Sequence, residues 1–147
     1  MKFRPVSVIL TLITLLNGCA IVSSSAKIVP NNDQTAIQNF YVIHQPQDKH
    51  NIDAEISELL REKGYKASNG PATKIASDAD ILVTYEDRWF WDLSNYLIQL
   101  NVEFRDVKTR YPIVAGETIR TSLARKTTKE MALETIDNML LKIENGE

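Results

Sequence analysis

A two-layer α+β sandwich is the fold class this sequence predicts, with elements in the order β-α-β-β-β-β-α, a mostly antiparallel sheet and both helices on one of its faces. Three observations lead there. Residues Ala79 to Asp106 contain two stretches of period-two alternation separated by a short break, the pattern of a hairpin with one dry face and one wet face. Two other stretches, one after Asn51 and one after Thr127, carry apolar residues at helical spacing. Short strand-like runs flank the hairpin on both sides, so one sheet remains for both helices to cover.

Taken in order, the first strand is Gln38 to His44, a β-leaning run stopped by Gln45-Pro46. The first helix follows with Asn51 as N-cap, Asp53 and Glu55 at its positive end, a stripe of Ile52, Ile56, Leu59 and Leu60, and Gly64 as its stop. A weaker strand, Tyr65 to Ser68, closes at Asn69-Gly70-Pro71.

In the hairpin, the first arm is apolar at the odd positions Ala79, Ile81, Val83 and Tyr85. The second is apolar at the even positions Tyr96, Ile98, Leu100, Val102 and Phe104, with Leu82 and Leu97 as exceptions. Opposed residues share a face, so paired numbers must sum to an odd value. A turn at Trp91, Asp92, Leu93 and Ser94 sets Phe90 against Asn95, Trp89 against Tyr96, Val83 against Val102, Ile81 against Phe104 and Asp80 against Arg105. It also turns Asp87 to the core face opposite Ile98, where a carboxylate needs a cation such as Arg120 or Arg125, or an open rim. Thr84, Glu86, Arg88, Gln99, Asn101 and Glu103 then form the wet face.

Pro112 to Leu123 reads as the last strand, with a bulge where Ile113, Val114 and Ala115 break the alternation before Gly116. Thr127 and Glu130 have the spacing of a capping box, and Ala132, Ile136, Met139, Leu140 and Ile143 supply the stripe of the second helix.

The N-terminus has a different character. Lys2 and Arg4 precede an apolar run from Val6 to Leu16, and small Gly18 precedes the chain's only cysteine, Cys19. The run is too short to span a bilayer, which takes about 20 apolar residues. Leu16-Asn17-Gly18-Cys19 resembles the lipobox of bacterial lipoproteins, in which the cysteine is acylated and the signal is cut before it. This predicts residues 1–18 as a signal peptide, 19–36 as a lipidated N-terminus and flexible tether, and 37–147 as one periplasmic α+β domain. The Ser- and Asn-rich tether, as a coil of 17 residues after Cys19, would span ~23 Å. Ala20 stands where an aspartate favours inner-membrane retention in enteric lipoproteins, so the resemblance implies the outer membrane.

The stretches 40–48, 80–92 with Tyr96-Leu97, and 121–126 resemble a family of small bacterial (Gram-negative) lipoproteins of unknown function. That resemblance implies a lipid anchor and a compact α+β domain, and brings no catalytic residues. More distantly, the layout is similar to small periplasmic lipoproteins that assist envelope assembly or activate cell-wall synthases.

Charge and motifs narrow the chemistry. Removing Lys2 and Arg4 from the 17 bases leaves 15 against 19 acids, a balance that excludes a nucleic-acid reading. His44, Asp48 and His50 do not have the spacing of a zinc site, and neither a nucleophile elbow nor a phosphate loop occurs; no metal or cofactor is expected. Glu86, Asp87 and Asp92 could serve an enzyme acting on envelope polymers, but alternation points the first two apart.

The candidate contact surface is therefore the aromatic hairpin tip, Trp89, Phe90, Trp91 and Tyr96 with Asp87 and Asp92, meeting an envelope protein or polymer, while acylated Cys19 meets the bilayer. A peptide beginning at Cys19 and carrying the mass of diacylglycerol is expected on mass spectrometry of the mature protein; a free thiol, or cleavage elsewhere, would refute the anchor.

Overall fold

A computed structural model describes residues 22–28 and 37–145. Its six strands are β1 (Ser23–Ile28), β2 (Asn39–Ile43), β3 (Lys66–Gly70), β4 (Ile81–Asp92), β5 (Ser94–Asp106) and β6 (Pro112–Ile119); its helices are α1 (Ile52–Glu62) and α2 (Thr128–Asn145). They form one sheet in the order β1-β6-β5-β4-β2-β3. The joins among β1, β6, β5 and β4 are antiparallel, whereas β2 lies parallel to both β4 and β3. Both helices cover one face, and from Ile37 onward the order is the predicted β-α-β-β-β-β-α. No helix among the described residues is long and apolar enough to cross a membrane.

The stretch expected to be a tether supplies β1, so the folded unit reaches back to Ser23. Ser24, Ala26 and Ile28 turn toward α2 and Ser25 and Lys27 away. Only small residues fit beneath the helix here: Ser24 Oγ lies 2.9 Å from Thr118 Oγ1 and accepts from Asn138 Nδ2 at 2.7 Å. A serine-rich strand held by hydrogen bonds does not show the apolar alternation that marks a strand in sequence. Cys19, the cleavage residues Leu16, Asn17 and Gly18, and 29–36 lie outside the described residues.

The core contains Phe40, Val42, Val83, Tyr85, Leu100 and Phe104 from the sheet, with the predicted stripes Ile52, Ile56, Leu59 and Leu60 of α1 and Ala132, Ile136, Met139 and Leu140 of α2 against them. The capping box at α2 is formed: Glu130 accepts from Thr127 N at 2.8 Å, and Thr127 Oγ1 accepts from Glu130 N at 3.2 Å. Asn51, by contrast, does not cap α1 with its side chain. It sits at φ 56, and Asp48 accepts from the Ile52 amide at 2.7 Å instead.

The hairpin register differs from the expected one. At the tip Asp92 pairs with Ser94, Phe90 with Tyr96 and Trp89 with Leu97; beyond a bulge between Arg88 and Trp89, Arg88 pairs with Gln99, Tyr85 with Val102 and Val83 with Phe104. Ile98 is the residue left over. Leu97 and Leu100 are both buried, and residues three apart face the same side of a strand only when an extra residue lies between them. Leu97, the exception to the alternation, was the sign of this bulge.

The body of the hairpin is thus two residues out from the expected pairing, which preserves faces, and the tip is one residue out, which does not. Asp80 consequently meets Asn39 rather than Arg105, and Arg105 pairs with Glu103. The bulge expected in β6 is present, with Phe104 opposite Val114 and Arg105 opposite Pro112 leaving Ile113 unpaired. The strand stops at Ile119, short of Leu123.

At Gly116, α2 lies close against the sheet. A Cβ there would lie 2.6 Å from Met139 Cγ and 2.9 Å from Thr135 Cγ2, beside the buried 2.7 Å contact of Thr118 with Thr135. Gly116→Val is expected to cost about 1–3 kcal/mol through overpacking, measurable as a lowered denaturation midpoint, and Gly116→Ala less.

Candidate functional site

The hairpin rises above its neighbours because β6 ends opposite Gln99 while β4 and β5 continue to Leu93. The bulge decides what each residue of this overhang faces. Trp89, opposite Leu97, turns toward the helix side and packs on the core. Its ring stacks on His50 at 3.7 Å, and Nε1 donates to Asp87 at 2.5 Å. Phe90, Asp92 and Tyr96 turn to the opposite face, so the expected Trp89–Tyr96 pair does not form.

Tyr96 is the pivot of that face and is only 8% exposed. Phe90 meets its ring edge-on at 5.8 Å, and Arg125 lies over it, 3.8 Å from the centroid. The same guanidinium donates from Nη2 to both Asp92 oxygens, at 2.6 and 2.9 Å, and from Nη1 to Ser94 Oγ at 3.2 Å. Through Nε it also holds Ser122 O at 3.0 Å, which ties the loop after β6 to the tip. A stacked, forked arginine fixes orientation as well as charge.

Around this frame the apolar residues are left in solvent: Phe90 is 54% exposed, Trp91 67%, Leu123 84% and Leu93 97%. Leu93 occupies the turn at φ 61, a conformation that costs a branched side chain and that Gly or Asn adopts readily.

The expected cation beside Asp87 is absent among the described residues. Arg125 is committed to Asp92, and Arg120, buried beneath α2, pairs with Glu134. Asp87 faces the helix side opposite Leu100, as its parity predicted, and the Trp89 indole serves as its donor at a half-open rim. Glu86 is on the outer face opposite Asn101. Glu86, Asp87 and Asp92 thus do not converge as paired acids.

Two further features adjoin the tip. The sheet face away from the helices holds an open cavity of about 410 Å³, lined among others by Lys27, Thr84, Glu86, Asn101, Glu103 and Glu117. This is the predicted wet face, widened by β1.

On the helix side, His44, Asp48 and Asp53 bring their donor atoms within 4.8 Å of one another. These are the described residues that could hold a metal, and His50 is not among them. The four carboxylate oxygens and His44 Nδ1 already have protein partners. His44 Nδ1 lies 3.1 Å from Asp53 Oδ1, Asn69 Nδ2 donates to Asp53 Oδ2 at 2.7 Å, and Asp48 accepts from the amides of His50 and Ile52 and from the Tyr85 hydroxyl at 2.7 Å. Sequence reading missed Asp53 and Tyr85 here, because β2, α1 and β4 supply the members separately.

No family model matches the chain, and no curated protein matches it. Solved structures do. Two of the PelC dodecamer from Paraburkholderia phytofirmans, one a point variant, superpose with TM-scores of 0.57 and 0.55 at 14% identity, over 84% of this chain and 98% and 97% of theirs. A PDZ domain protein from Parabacteroides distasonis matches at 0.51 and 12% identity, over 84% of this chain and 36% of its own. Identities of this size show a shared fold alone.

Burial pushes the Asp48 carboxyl up, but the His50 and Ile52 amides, the Tyr85 hydroxyl and nearby His44 outweigh it and hold the group below its usual range. Burial and the bond to Asp48 push the Tyr85 phenol up. A carboxyl depressed by folding stabilises above its unfolded pKa, about 3.9, and that contribution is lost as pH falls through the lower folded value. Asp48→Asn is therefore expected to cost about 1–2 kcal/mol at pH 7, with the gap to the parent narrowing below pH ~4. Denaturant titrations across pH check this; a gap that widened in acid would refute it.

Proposed function

We propose that the protein is a lipoprotein acylated at Cys19, held at the outer membrane facing the periplasm, which acts in the cell envelope as a non-catalytic binding or scaffolding module. It resembles in this the family of small lipoproteins to which its aromatic block is similar. The observation that carries the binding reading is the braced tip: an arginine forked onto Asp92 and stacked on Tyr96 holds a frame from which Phe90 and Trp91 stand more than half exposed. Apolar groups kept rigid in water lose little entropy on contact, which suits an interface hot spot.

The polar sheet face beside it adds a second surface rich in amides and carboxylates. A glycosidase of the usual two-acid kind would need two carboxylates about one site, and the tip acids are dispersed over two faces or committed to Arg125. Confinement by an anchor lets modest contacts suffice.

Photocrosslinking in cells, with the reactive side chain placed in turn at Asn101 on the sheet face and at Trp91 on the tip, is expected to give adducts with a discrete envelope component from at least one of the two. Membrane-bound protein silent from both positions would overturn the binding reading.

A further inference from the structure

We propose that the hairpin tip docks on the lipid bilayer itself, giving the protein a second, non-covalent attachment beside its anchor. This rests on the reading of Cys19 as the acylated residue. Ser23 pairs with Ile119, Ile119 with Gln99 and Gln99 with Arg88, one rung across four strands. Since β1 descends from that rung, the chain before Ser23 arrives from the end at which the hairpin projects.

Cys19 is four residues from Ser23, a reach of at most ~14 Å. From the same rung β4 continues five residues to Leu93, a rise of roughly 16 Å. A plane that touches the tip is therefore within reach of the anchor. A strand formed so soon after Cys19 removes the slack that would otherwise lift the domain clear of the headgroups.

The surface at this end suits a bilayer. Of the eight large apolar side chains exposed among the described residues, Val22, Phe90, Trp91, Leu93 and Leu123 belong to it. Tryptophan favours the membrane interface, and apolar groups beside it partition below the headgroups. Leu93 bears a strained φ of 61 while 97% exposed. The fold gains nothing from leucine there, whereas an interfacial contact does.

The chain's two tryptophans make this measurable. Acylated protein purified from membranes is reconstituted in vesicles of phosphatidylethanolamine and phosphatidylglycerol doped with acyl-chain-brominated phosphatidylcholine. Emission is expected to fall by about half or more as bromine quenches Trp91, the quenched component vanishing in Trp91→Phe. Leu93→Asn is expected to weaken quenching while raising the melting temperature.

Cys19 carrying acyl mass, with emission unquenched and Trp91 open to aqueous acrylamide, would overturn the docking and leave the anchor standing; crosslinks from Trp91 to a protein alone would do the same. A Cys19 without acyl mass would overturn both.

Discussion

A pleated strand can turn Leu97 and Leu100 to the same side only by carrying an extra residue between them, and most of what distinguishes this molecule depends on that constraint. Ile98 is the extra residue. Below it, β5 presents Leu100, Val102 and Phe104 to the helices; above it the strand has rotated, so that Leu97 still faces inward while Tyr96 faces out. Without the bulge a straight strand would bury one leucine and expose the other, and Tyr96 would enter the core. Bulges increase local twist as well, which turns the overhang relative to the sheet and delivers Asp92 and Tyr96 to the loop carrying Arg125.

The helix side is held by a different kind of interaction. Asp48 lies in the loop between β2 and α1 and collects two backbone amides and the hydroxyl of Tyr85, which stands on β4. One carboxylate thereby fixes the start of a helix and the position of the sheet beneath it. Asp53, one turn on, is buried but fully partnered by His44 and Asn69. Buried carboxylates with both oxygens satisfied tolerate little rearrangement, since removing any donor strands a charge in a poor solvent. This end of the sandwich is stiff, and Trp89 is clasped against it through His50.

The sequence made some of this legible and hid the rest for physical reasons. Helix stripes, the hairpin, the β6 bulge and the capping box all leave periodic or fixed-spacing signals that depend on nearby residues, and each was readable. Register was readable only modulo two, because parity constrains faces and says nothing of a two-residue slide; hence Val83 sits opposite Phe104 rather than Val102. β1 was hidden because its inward row is two small residues and one isoleucine, fitted to a helix whose approach the sequence does not reveal. Of the candidate site, the exposed aromatics Phe90 and Trp91 were legible. The partner of Asp92 was not, since Arg125 lies on a distant loop and only the tertiary fold decides which arginine arrives.

The edge position of β1 bears on how the chain reaches its native state. Ser24 finds its partner Thr118 94 positions away, and the helix that covers both follows later still. The strand nearest the N-terminus therefore has no surface to join until nearly all of the rest has formed, and its pairing carries the largest loop-closure cost in the sheet. In a chain emerging from N- to C-terminus, the β2-to-β5 region can collapse first, with the β1 segment joining last, so the final ordering step of folding is the one that seats Ser23–Ile28 along the open edge of β6.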